Sequence, residues 1–127
     1  MRWVHAMNRV AVLALLLCSA PSQAHHGGAV EWRDDVAGPL TGVATEFFFR
    51  FPHIFVALEV TDGATVTHWR MTSRWTPTIL RNHGWTRNSI RPGDTVTVTY
   101  TPHVSDPTVG QMQTIEVNGE SLPLGFD

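Results

Sequence analysis

Two consecutive runs rich in strand-forming residues, Ile54 to Val60 and Thr65 to Met71, flank Asp62-Gly63, and Ile54, Val56, Leu58 and Val60 recur at every second position of the first. A period of two marks a strand with one buried face. Asp-Gly between two such runs is a strong hairpin signal, because a type I′ turn needs positive φ at both central residues. With Asp62-Gly63 as the loop, Thr61 pairs with Ala64. Counting outward sets Leu58 against Thr67, Val56 against Trp69 and Ile54 against Met71. These residues, with Val60 and Thr65, form the expected core face. The opposite face carries His53, Phe55, Ala57 and Glu59 from one strand and Val66, His68 and Arg70 from the other. Phe55 then faces Arg70, close enough for the guanidinium to stack on the ring.

The same reading extends along the chain. Leu40 to Phe51 is a long first strand in which Gly42 marks a bulge or bend. Phe47, Phe48 and Phe49 cannot all point inward from one strand, so at least one lies on the outer side. Thr76 to Gly84 has the punctuation of a short helix: Thr76 as cap, Pro77 in the first turn, Gly84 just past the end. Trp85 is expected to pack back as a plug. After the turn Ile90 to Asp94 come strands Thr95 to Thr101 and Gln111 to Val117. Asn118-Gly119 then turns the chain into a tail strand, Glu120 to Leu122. Three strands, a helix, then two strands is the order of the OB-fold, a five-stranded Greek-key barrel with its helix between strands 3 and 4. The predicted fold class is therefore all-β and OB-like; a short β-sandwich competes but gives the helix no task.

Composition adds export and removes several functions. Arg2 and Arg9 precede an apolar run, Val10 to Leu17, too short to span a bilayer, and Ser22-Gln23-Ala24 suits signal cleavage. The expected organisation is a secretory signal peptide at 1–24, an extended arm at 25–39 pinned by Trp32, and the barrel at 40–127. Localisation would be periplasmic or secreted. The single cysteine, Cys18, falls inside the signal; Leu17 before it is bulkier than a lipidation site takes. Removing the first 24 of 127 residues leaves 103, with seven arginines, no lysine and eleven carboxylates, a formal charge of −4. Nucleic-acid binding normally draws on a basic excess, which is missing, so no nucleic-acid partner is expected. No segment after the signal is long and apolar or basic and amphipathic, so no membrane partner is expected either.

Several features in order carry a family resemblance: Ala24-His25-His26, Gly42-Val43, Phe51-Pro52-His53, Thr76-Pro77 with Leu80 and Gly84-Trp85, and Pro92-Gly93-Asp94-x-Val96-x-Val98. Together they resemble the small exported bacterial proteins of domain-of-unknown-function family 6152, over nearly the whole mature chain. The resemblance implies export and a small β-domain, and no established activity. Phe51 departs from it, standing where Asn is expected before Pro-His.

Candidate chemistry lies in the histidines. If His25 begins the mature chain, its amine and imidazole can chelate a metal, and a second imidazole completes a three-nitrogen site suited to copper. Alternatively His26, in second position, chelates Cu(II) through the amine, the intervening amide and its ring. His53 and His103 sit on the two loops that flank the binding face of an OB barrel and could supply a further nitrogen; the plainer reading of each is a surface or hydrogen-bonded histidine. His83, at the helix end, reads as structural. A separate ligand face comprises Phe55, His68, Arg70 and Glu59, able to hold a protein or polymer; its plainer reading is a stacked pair on a solvated sheet. Serine-elbow, zincin and phosphate-loop patterns are absent, and the mature chain has no thiol. A binding module with copper as its cofactor is therefore expected ahead of an accessory protein acting through the Phe55 face. A copper-dependent oxidant enzyme comes last.

Intact-mass measurement of exported protein should find His25 as the first residue. That material should bind Cu(II) more tightly than the same chain with its amine acetylated; equal affinities would remove the chelate.

Overall fold

The computed structural model describes residues 31–125, so His25, His26 and the expected signal segment lie outside the described residues. The elements are β1 (Ala37–Phe49), β2 (Ile54–Asp62), β3 (Thr65–Thr72), α1 (Pro77–Asn82), β4 (Thr95–Pro102), β5 (Val109–Val117) and β6 (Glu120–Ser121). The strand order is β3-β2-β1-β4-β5-β6, and a further pairing of β3 with β5 closes the sheet. All pairings are antiparallel except that closing one. This is an OB-like barrel with the helix between β3 and β4, as the element order predicts, with the tail strand as a two-residue sixth. Among the described residues no helix is long and apolar enough to cross a membrane.

Alternation explains the core. Ile54, Val56, Leu58 and Met71 of the hairpin are buried, with Val96 and Val98 of β4 and Met112, Ile115 and Val117 of β5. A fully buried aliphatic side chain contributes about 1.5–3 kcal/mol. Trp85 plugs the barrel as expected, 2 % exposed, its Nε1 donating to the Pro123 carbonyl at 2.6 Å. Trp69 is only half-buried, edge-on to Tyr100 with centroids 5.5 Å apart.

The hairpin register differs from the sequence expectation. Asp62 pairs with Thr65, Leu58 with Trp69 and Val56 with Met71, so the loop is Gly63-Ala64 and not Asp62-Gly63. Only Gly63 takes positive φ (59°), at the first loop position, as a type II′ turn requires. Relative to the expected pairing each strand has moved one residue, a combined slip of two. A slip of two leaves every side chain on its face, which is why the core face was read correctly and the partners were not. Phe55 accordingly lies opposite Thr72, with Arg70 on the diagonal beside Ala57. The tip runs beyond the barrel wall, so of the expected core face Thr65 and Thr67 are exposed and Val60 is only half-buried.

β1 begins at Ala37, before the expected Leu40, and serves two neighbours. Ala37 to Val43 pairs with β4 and Val43 to Phe49 with β2. Gly42 sits at the changeover, where a Cβ would lie 2.7 Å from the Glu59 carbonyl oxygen. The register shift itself falls between Ala44 and Glu46, two residues past the glycine that was expected to mark it.

Closure rests on three parallel pairs, Arg70 with Val109, Met71 with Gly110 and Thr72 with Gln111. A Cβ on Gly110 would lie 2.9 Å from Met71 Sδ and also meet the Tyr100 ring. α1 closes one end: the Thr76 hydroxyl accepts from Ile79 N at 3.5 Å, Pro77 and Leu80 are buried, and Gly84 (φ 87°) leads the chain out.

The turns into β4 and out of β5 are tied together. Asp94 accepts from Arg91 N (2.7 Å) and from Asn118 Nδ2 (3.0 Å), while Asn118 Oδ1 accepts from Thr95 N (3.0 Å). Asn118-Gly119 is the hairpin loop, with φ of 51° and 85°, as its sequence predicts. The hydrogen bond from Asn118, then that from the Arg91 amide, hold the Asp94 carboxyl below its ordinary value of 3.8.

A carboxyl with a depressed folded pKa stabilises the fold above its unfolded value, and that contribution is lost as pH falls through the folded one. Asp94→Asn should therefore lower the melting temperature at neutral pH, and the gap from the parent should close as pH falls below 3.8. Gly110→Ala should cost about 1–3 kcal/mol by overpacking, read as a fall in denaturation midpoint; an unchanged midpoint would show that the seam tolerates a methyl group.

Candidate functional site

On the outer side of β1-β2-β3 an aromatic and cationic ladder crosses the strands. Phe48 pairs with Phe55 in the sheet, and their rings stack at 5.1 Å with an 11° interplanar angle. The Arg70 guanidinium carbon lies 4.4 Å from the Phe55 centroid. At the other end the Arg50 guanidinium carbon lies 5.5 Å from the Phe48 centroid. The Phe55–Arg70 stack expected from the hairpin thus exists, made across the diagonal. Phe48 is the phenylalanine that points outward; Phe49 is buried and Phe47 packs on the core beside Phe49 and Trp85.

The backbone explains why Arg70 stands where it does. Its amide donates to the Thr108 carbonyl at 2.9 Å, and its residue pairs with Val109 in the closing seam. The seam therefore fixes the strand from which the guanidinium reaches Phe55. Beside the ladder is a groove of about 420 Å³ lined by Glu31, Trp32, His53, Phe55, Arg70, Thr72, Ser73, Arg74 and Gln111, with Ile54 at its base. Phe51, on the loop between β1 and β2, is 76 % exposed. Among the described residues the ion pairs are Arg33 with Asp35 and His68 with Glu59, so neither Arg50 nor Arg70 is matched by a carboxylate.

Trp32 anchors the segment before β1 to the loop after β4. It bridges to His103, with ring centroids 5.3 Å apart and edge-on. Arg33 N donates to Pro102 O and Val104 N to Glu31 O, each at 2.9 Å. Trp32 thus pins the arm as expected and forms one wall of the groove.

The histidines separate into different settings. His53 is exposed and lines the groove with Trp32. His103 is half-buried, and its Nδ1 accepts from the amides of Ser105 (3.2 Å) and Asp106 (3.0 Å), so that nitrogen is already engaged by the loop. His68 lies further out on the hairpin, its Nδ1 3.8 Å from Glu59 Oε1, both side chains exposed. Glu59 and His68 share the outer face with Phe55 and Arg70, nearer the tip. Among the described residues no three His, Cys, Asp or Glu side chains gather closely enough to hold a metal; His25 and His26 lie outside them.

Sequence reasoning missed Arg50, Arg74, Thr72, Ser73 and Gln111 as part of this surface. Arg50 had a local signal, being two residues after Phe48 on the same side of an extended chain. Gln111 had none, because only barrel closure brings β5 beside β3.

No curated protein matches the chain. Among solved structures it is similar to the mitochondrial single-stranded DNA binding protein Rim1 of S. cerevisiae, at 9% identity and a TM-score of 0.49, over 68% of this chain and 95% of that one. A family of unknown function, DUF6152, matches residues 12–112, and the chain belongs to that family.

Proposed function

We propose that this protein is an exported binding module that holds a protein or polymer segment on the outer face of the β2–β3 hairpin, in the groove between Trp32 and Arg70. The observation that carries this reading is the pair of guanidiniums held in place by stacking yet unmatched by carboxylates. A surface arginine usually surrenders rotamer freedom when a ligand arrives, at about 0.5–1.5 kcal/mol for each side chain ordered. Arg70, already seated on Phe55, has met much of that cost within the fold. His53, Gln111 and Thr72 add hydrogen-bonding groups along the same groove.

A second reading, copper held by His25 and His26, has one support in the geometry. His53 lines the groove with Trp32, and Trp32 is six residues beyond His26. Six extended residues reach about 20 Å, enough to bring an N-terminal imidazole to His53. The acetylated-amine titration is its test.

Nitrogen-15 amide spectra of the mature protein, recorded with a panel of acidic, basic and neutral peptides and polysaccharides, should place ligand-induced shifts at Phe48, Phe55, Arg70 and Thr72. Phe55→Ala and Arg70→Ala should abolish those shifts. An exposed cation–π contact is worth about 0.5–1 kcal/mol, so Arg70→Ala should leave the protein folded. Shifts centred on β4 and β5 instead would refute the assignment of the face.

A further inference from the structure

Charge is segregated along this chain. Between Arg50 and Arg91 there are six arginines and only two carboxylates, Glu59 and Asp62. From Pro92 to the end there are five carboxylates and no arginine or lysine. The fold brings three of these arginines, Arg50, Arg70 and Arg74, to the ladder and the groove beside it, while Arg91 lies in the turn held by Asp94. Arg70 and Arg74 line the groove on one side. Arg50 and Arg87 line a second hollow, of about 310 Å³, where β1 ends, and Arg81 lies over Phe49 at 5.3 Å. Of the two carboxylates in this region, Glu59 faces His68 and Asp62 is at the hairpin tip. Glu46 and Glu31 each line one of the two hollows beside these arginines. A protein that is acidic overall thus carries unmatched guanidiniums at both ends of the ladder.

The ladder also restricts what can bind there. Phe48 and Phe55 cover each other, and a guanidinium closes each end of the stack. Nucleobases and sugars are recognised on bare aromatic faces, and these two faces are taken. The ladder offers outward only ring edges, which carry the positive end of the aromatic quadrupole, and guanidinium N–H groups, which match carboxylate oxygens in a planar fork.

We propose that the groove takes an extended acidic polypeptide segment, its carboxylates held by Arg70 and Arg74 on one side of the stacked rings and by Arg50 on the other. This deepens the binding-module reading and rests on it. In an extended peptide alternate side chains recur about every 6.6–7 Å on one side, and the steps of the ladder are 4.4, 5.1 and 5.5 Å, so acidic residues four apart meet its two ends. The Gln111 amide, which both donates and accepts, suits a peptide group that continues past Arg70 on the β5 side. Acidic sugar polymers share the charge, but the ladder conceals the faces of Phe48 and Phe55 on which a sugar ring stacks, and the test sets one beside the peptide.

The test is fluorescence anisotropy with a labelled peptide of alternating glutamate and glycine, run beside its glutamine counterpart, polygalacturonate and single-stranded DNA. The glutamate peptide should bind at least about tenfold more tightly than the glutamine one, with affinity falling as salt rises. Arg70→Gln should weaken it about tenfold. Arg70→Lys should be nearly as damaging because the planar fork and the stack are both lost, and Arg91→Gln should leave binding unchanged. Equal, salt-insensitive binding of both peptides, still sensitive to Arg70, would overturn the acidic specificity and leave the binding face standing. Arg70-dependent binding of either polymer in place of the peptide would overturn the polypeptide assignment. Peptide binding indifferent to both Phe55→Ala and Arg70→Gln would remove the face itself.

Discussion

The parallel seam between β3 and β5 is the contact on which the rest of the molecule depends. It is short, pairing Arg70, Met71 and Thr72 with Val109, Gly110 and Gln111, yet it turns a curled sheet into a barrel. Its inward residue, Met71, is fully buried and approaches so closely that the facing position has room only for glycine. Its outward residue, Arg70, enters the candidate site. One three-residue contact therefore sets both the closure of the core and the placement of the guanidinium over Phe55. Parallel pairing of this kind joins segments far apart in sequence, so its entropic cost falls on the whole chain between them. The buried faces of β2, β4 and β5 must supply the compensating energy.

The two sides of the hairpin divide the work cleanly. Ile54, Val56 and Leu58 are sealed from water and hold the wall in place. Phe55, one step away from each neighbour in the pleat, is half-buried and carries a cation on its ring. That contact is too weak to matter greatly for stability. Its consequence is positional: a side chain with five N–H donors is kept in a defined orientation at a solvent-facing groove. Trp32, brought in by the bridge to His103, walls the groove from a segment distant in sequence. The site is thus assembled from four regions, and none of them could form it alone.

Polar ties at the opposite end of the barrel have a different character. Asp94 and Asn118 lock two turns to each other through side-chain and backbone hydrogen bonds, and they lie away from the ladder. Their carboxylate is used up internally, whereas the guanidiniums of the ladder are not. This contrast distinguishes polar groups whose charge is matched within the fold from the ladder guanidiniums, which meet no carboxylate among the described residues.

Much of the architecture was legible in the chain itself. Runs of strand-forming residues located every long strand, the Thr76-Pro77 start and Gly84 stop delimited the helix, and Asn118-Gly119 gave its turn. These signals are local, resting on side-chain alternation and on which residues tolerate positive φ, and so survive without knowledge of neighbours. The register at Gly63 did not, because a slip of two residues preserves both faces and leaves the hydrophobic pattern indifferent. Phe48 beside Phe55, Arg50 at the end of the stack and Gln111 in the groove were settled only when strands distant in the chain came together. Such pairings depend on how the barrel closes, a property of the whole fold that no window of sequence contains.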